Sequence, residues 1–114
     1  MMAQRWLAAL WAVPLATVPL SASAQTTGLD MIHAQSRVGN KICMTEHEHF
    51  GDGSMPTKRA AQQAAVQSWS GFTAFEYGSL WGRYALAVGK NLECTESGGR
   101  WVCKVRARPC RPAR

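Results

Sequence analysis

The chain has 114 residues, 46% of them hydrophobic and 18% charged, a composition that excludes a collagen-like or wholly disordered polymer. Its length holds one small domain and has no room for a multidomain, cofactor-binding enzyme. Thirteen Lys and Arg stand against seven Asp and Glu, and past the leader the basic excess is confined to the last 15 residues, where Arg100, Lys104, Arg106, Arg108, Arg111 and Arg114 have no acid among them.

Residues 1–24 read as a signal peptide: Arg5 supplies the charged start, Trp6–Leu20 the apolar run, and Ala22-Ser23-Ala24 an A-x-A cleavage site. The run falls short of the roughly 20 residues a bilayer span needs and carries Pro14 and Pro19, so no membrane span is expected after cleavage near Ala24. A periplasmic or secreted chain follows. Cys43, Cys94, Cys103 and Cys110 would then meet an oxidising compartment, which predicts two disulfides. A zinc site built on them is disfavoured, because no C-x2-C pair exists.

Residues 25–36 (QTTGLDMIHAQS) show no sustained period and are expected to form a flexible N-terminal arm. Residues 37–114 are expected to form a single disulfide-stapled domain with a basic C-terminal tail. Val38, Ile42 and Met44 alternate with Lys41, Cys43, Thr45, His47 and His49, a strand signal over 38–49. Gly51-Asp52-Gly53-Ser54 with Pro56 reads as the turn that ends it. Thr57 is a candidate N-cap for a helix in which Ala61, Ala64, Ala65 and Trp69 share a face. Phe72 and Phe75 extend that stripe toward a stop at Gly78, and residues 71–88 fit helix and strand alike.

The last third predicts a hairpin turning at Gly98-Gly99, which can supply the positive φ of a two-residue primed turn. That register sets Glu96 opposite Trp101, Cys94 opposite Cys103 and Leu92 opposite Val105, with Lys104, Arg106 and Arg108 on the outer face. Directly opposed residues lie within disulfide reach, so Cys94–Cys103 and Cys43–Cys110 are the expected bridges. The competing pairing joins Cys43 to Cys94 or Cys103. The fold class expected is α+β, one main helix packed on a small antiparallel sheet with a C-terminal hairpin. Trp69, Trp81, Trp101, Phe72, Phe75, Tyr77 and Tyr84 are its candidate core.

Two features carry ligand chemistry. Alternate residues of a strand share a face, so His47 and His49 could reach one divalent cation, with Glu46, Asp52 and His33 nearby. The metalloprotease pattern H-E-x-x-H is absent, since position 51 is glycine. Arg100, Lys104, Arg106, Arg108 and Arg111 form a candidate anion-binding row along the last strand and tail. No G-x-S-x-G elbow or P-loop ending is present, and no enzyme is expected. The reading is therefore a non-enzymatic exported envelope protein that binds a macromolecular partner, either an acidic glycan surface or another exported protein, for example as an inhibitor. Intracellular nucleic acid is not an expected partner. The alternative is a periplasmic divalent-metal-binding protein using His47 and His49.

The combination of signal peptide, H-E-H-F-G, W-x-x-F…Y-G-x-x-W, A-V-G-K-N-L-E-C-x8-C and a closing A-R-P-C-R resembles small exported proteins of alphaproteobacteria with a Cys-stapled C-terminal hairpin. The likeness covers about residues 43–111. It implies envelope localisation and a shared fold, and carries over no activity, cofactor or catalytic residue.

Overall fold

The structure is a computed structural model that describes residues 12–17 and 25–114. Most of the segment read as a signal peptide, residues 1–11 and 18–24, lies outside the described residues. The chain folds into one helix and two small antiparallel sheets: β1 (Gln35–Val38), β2 (Lys41–Met44), β3 (His49–Met55), α1 (Lys58–Tyr77), β4 (Val88–Ser97), β5 (Arg100–Arg108) and β6 (Cys110–Pro112). One sheet has the order β1-β2-β6 and the other β3-β5-β4. The α+β class expected from the sequence is the observed one. Among the described residues no helix is long and apolar enough to cross a membrane.

The hairpin forms in the register that Gly98-Gly99 predicts. Glu96 pairs Trp101, Cys94 pairs Cys103 and Leu92 pairs Val105, while Gly98 and Gly99 take φ of 60° and 78°. Both expected disulfides are present, Cys94–Cys103 across the hairpin and Cys43–Cys110 between β2 and β6. Two disulfides are compatible with an extracellular or periplasmic chain.

The helix starts where expected, with the Thr57 hydroxyl accepting from the Ala60 N–H at 3.2 Å, and stops at Gly78. Its buried face is Ala61, Ala65, Trp69, Thr73 and Tyr77, and Trp69 Nε1 donates to the Ala107 carbonyl at 3.2 Å. Trp69, Trp81 and Tyr77 are fully buried, and Trp101 and Tyr84 pack against the core. Phe72 and Phe75 do not join it, being 51% and 85% exposed.

Three other expectations give way. The strand read over 38–49 is broken: a two-residue loop, Gly39-Asn40, turns β1 back on β2 with Gly39 at φ 59°. Thr45–Glu48 then connects to β3. The glycines read as a turn lie inside β3, where Gly51 and Gly53 pair Val105 and Cys103. They are glycines because the helix lies directly against them. A Cβ on Gly51 would run into the Ala65 carbonyl oxygen, the Trp69 N–H nitrogen and Trp69 Cβ, and one on Gly53 into the Ala61 carbonyl and Ala64 Cβ. Finally, the segment read as a flexible arm packs on the end of α1. Leu29–Ile32 forms a 3-10 turn, the Thr27 N–H bonds the Tyr77 carbonyl at 3.0 Å and the Leu80 N–H the Gln25 carbonyl at 3.1 Å. Asp30 is buried, accepting from Trp81 Nε1 at 3.2 Å.

Candidate metal centre

That docked N-terminal segment brings distant side chains together. His33 leaves the 3-10 turn for β1, His47 sits in the β2–β3 connection, His49 opens β3, and Glu76 and Tyr77 are the last residues of α1. All three histidines of the chain thus meet around one tyrosine. The His33 and His47 rings are 4.3 Å apart between centroids, His47 and His49 5.2 Å, and Tyr77 lies 5.5 Å from His33 and stacks on His49 at 4.8 Å. One donor atom each from His33, His47 and Glu76 falls within 4.8 Å of the others. Ligand atoms around a tetrahedral Zn(II) lie about 3.4 Å apart, given bond lengths of about 2.0–2.2 Å, so small side-chain rotations close the set.

His49, paired with His47 in the sequence reading, takes a different place. It is 2% exposed, and its Nδ1 lies 2.9 Å from Thr73 Oγ1. The Thr73 hydroxyl donates its own proton to the Trp69 carbonyl at 2.7 Å, so it accepts from His49 Nδ1–H, which fixes the tautomer. Nε2 of the neutral ring then turns a lone pair toward Glu76 Oε2 at 3.2 Å, an acceptor against an acceptor that a shared proton or metal ion relieves. Glu76 is also the only acid in α1, and it stands at the helix C-terminus, where the dipole disfavours negative charge. Tyr77 Oη is buried beside that carboxylate, which is the acceptor within its reach. Burial first, and then Glu76, push the phenol well above its ordinary range.

Burial also lowers the His49 pKa from its usual 6.5, against an upward pull from Glu76 and aided by His47 and His33. The sign follows. Below pH 6.5 the unfolded chain takes up a proton that native His49 resists, so this group's contribution is complete above that pH and declines as pH falls toward the native pKa. With chelator present, the melting temperature of the wild type should drop more between pH 7.5 and 5.0 than that of His49→Asn. Equal drops would show that His49 titrates as if unfolded.

Glu46 is exposed near the cluster, and Asp52 points from β3 outside it. The basic row does not stay one surface. Arg108 donates through Nη1 to the Met44 and Thr45 carbonyls at 3.3 and 3.0 Å, Arg111 lies 5.6 Å over the Trp81 ring, and Arg100 donates to the Ser54 carbonyl at 2.7 Å. Lys104 and Arg106 are exposed, with Lys104 in register between Asp52 and Glu93. Glu76 is the candidate donor that sequence reasoning missed. Its isolation at the end of an otherwise acid-free helix was the available signal.

No family model, curated protein or solved structure matches this chain.

Proposed function

We propose that this chain is an exported, disulfide-stapled protein that binds a divalent transition-metal cation, without catalysing a reaction, through His33, His47 and Glu76. The observation that carries the reading is the convergence of these three donors within 4.8 Å of one another from three separate segments. Two imidazoles and a carboxylate suit Zn(II), Cu(II) or Ni(II), whereas Mg(II) and Ca(II) want all-oxygen sites. Export rests on the leader over residues 1–24 and on the two disulfides.

Calorimetry separates this set from the His47/His49 pair. Zinc should bind with one-to-one stoichiometry, and His33→Ala, His47→Ala and Glu76→Gln should each cost more than the roughly 10- to 100-fold typical of residues that only support a ligand. His49→Asn should fall within that smaller range. If His33→Ala and Glu76→Gln bind zinc as the wild type does, the site is not this one.

A second reading, the anionic-glycan surface, is favoured by one observation. Phe50 is 64% exposed beside its register partner Arg106, and Asn91, Glu93 and Lys104 line the same shallow hollow, an aromatic face with a polar rim. Arg106→Glu should then elute from heparin at markedly lower salt than the wild type. Elution at the same salt concentration would remove the surface from consideration.

A further inference from the structure

Resting on the metal reading, we infer that residues 25–33 form a strap that closes on the end of α1 when the cation binds and loosens when it is removed, so that occupancy of the site is read out as docking of this segment. Three observations point there. The donors stand on different bodies: His47 follows β2, which Cys43–Cys110 ties to β6, and Glu76 is on α1, which lies against β3, whereas His33 rides on the strap. The strap is held at the helix end by polar contacts. The Thr27 N–H and hydroxyl donate to the Tyr77 and Glu76 carbonyls, the Leu80 N–H to the Gln25 carbonyl, and Trp81 Nε1 to Asp30 Oδ2. The His33 N–H in turn donates to the Asp30 carbonyl at 3.3 Å, so the placement of the imidazole follows that of the docked turn. The third observation is how little the strap buries. Asp30 is its only buried residue, Leu29, Met31 and Ile32 being 49%, 75% and 75% exposed, and Asp30 takes a carboxylate out of water with no protein partner for Oδ1.

A segment that orders its backbone, hides no apolar side chain and buries a carboxylate with one oxygen unpaired docks at little net gain, and such segments open locally while the rest of the fold stays closed. The metal changes that balance. A bond from His33 forms only in the docked arrangement, where it adds a third donor to the two that the folded body already holds. Because the cation binds the docked form more tightly, it favours docking by the same factor by which docking favours the cation. The site is thereby a responsive one, unlike a structural site whose donors all stand on elements that stay packed together.

Amide hydrogen exchange at Leu80 tests this, because its N–H belongs to the body and its acceptor, the Gln25 carbonyl, to the strap. Zinc in excess should slow exchange there by about 10-fold or more relative to the chelator-treated chain. Thr27→Pro removes one docking donor and none of the metal's, and should weaken zinc binding by about 2- to 10-fold, as expected for one hydrogen bond. If zinc binds through His33 and the Leu80 amide exchanges at the same rate with and without it, the strap is permanently closed and the inference is overturned. Zinc affinity in Thr27→Pro equal to that of the wild type overturns it as well, and so does failure of Thr27→Pro to fold, which would make the strap a required part of the core structure. Wild-type binding that survives His33→Ala, or no zinc binding at all, instead strikes the metal reading, and the strap falls with it.

Discussion

Gly51→Ala should destabilise the protein by about 3 kcal/mol or more, at or beyond the upper end for inserting a methyl group into a packed interior. The new Cβ meets the Ala65 carbonyl oxygen and the Trp69 backbone nitrogen, and helix backbone cannot rotate aside as a side chain can. To admit it, α1 must lift from β3, which loosens Ala61, Ala65 and Trp69 from Val105 and Ala107, the larger of the two buried clusters. Gly71→Ala should have the opposite sign. It stands on the exposed side of the helix with nothing within 4 Å of a would-be Cβ, where alanine gains about 0.5–1 kcal/mol over glycine. Urea unfolding of the two variants and the wild type reads both effects. An unchanged midpoint for Gly51→Ala would mean that the glycines occupy an open turn, as their sequence suggested.

The double variant Cys43→Ala, Cys110→Ala should lose about 4 kcal/mol, and Cys94→Ala, Cys103→Ala about 2.5 kcal/mol. The difference follows from the loops they close, with sequence separations of 67 and 9. The loss from the longer one is a large share of the roughly 5–15 kcal/mol that holds a domain folded. It is felt where the candidate site is built, because Cys43 lies in β2, just before the His47 connection, and β6 is only 3 residues long. Denaturation in the absence of reductant checks the order. Equal losses, or a larger loss for the hairpin bridge, would contradict it.

What the sequence made legible was local. Gly98-Gly99 fixes a turn, a turn fixes a register, and the register placed Cys94 opposite Cys103, leaving Cys43 and Cys110 to pair, and set the inward row Cys103, Val105 and Ala107. Thr57 marked the helix start for the same reason, since an N-cap acts within three residues. The errors arise where one residue type serves two purposes. Glycine signals a turn and also permits close approach, and only the helix over Gly51 and Gly53 decides which. Gly39-Asn40 carried a valid hairpin signal that the alternation of residues 38–49 masked. Phe72 and Phe75 followed a straight stripe, but a spacing of four drifts about 40° per step on a helix of 3.6 residues per turn. The buried face from Ala61 to Tyr77 winds with that drift and leaves both phenylalanines outside.

The candidate site was half legible. His47 stood out, and so did the ligand chemistry of its neighbourhood. Of its partners, His33 was named only as a neighbour and Glu76 not at all, because both reach it only when the N-terminal segment docks on the end of α1, through bonds such as Thr27 N–H to the Tyr77 carbonyl. Strand alternation favoured His49, yet the chain leaves β2 at Met44 and re-enters a strand at His49, so the two histidines do not share a pleated face.

Anomalous diffraction at the zinc edge from crystals of the zinc-loaded chain tests the central claim most directly. The account predicts one strong peak about 2.0–2.2 Å from a ring nitrogen of His33, a ring nitrogen of His47 and a carboxylate oxygen of Glu76, with His49 Nδ1 still on Thr73. A peak ligated by His47 and His49 without His33 and Glu76, or zinc found only at scattered surface carboxylates, would contradict it.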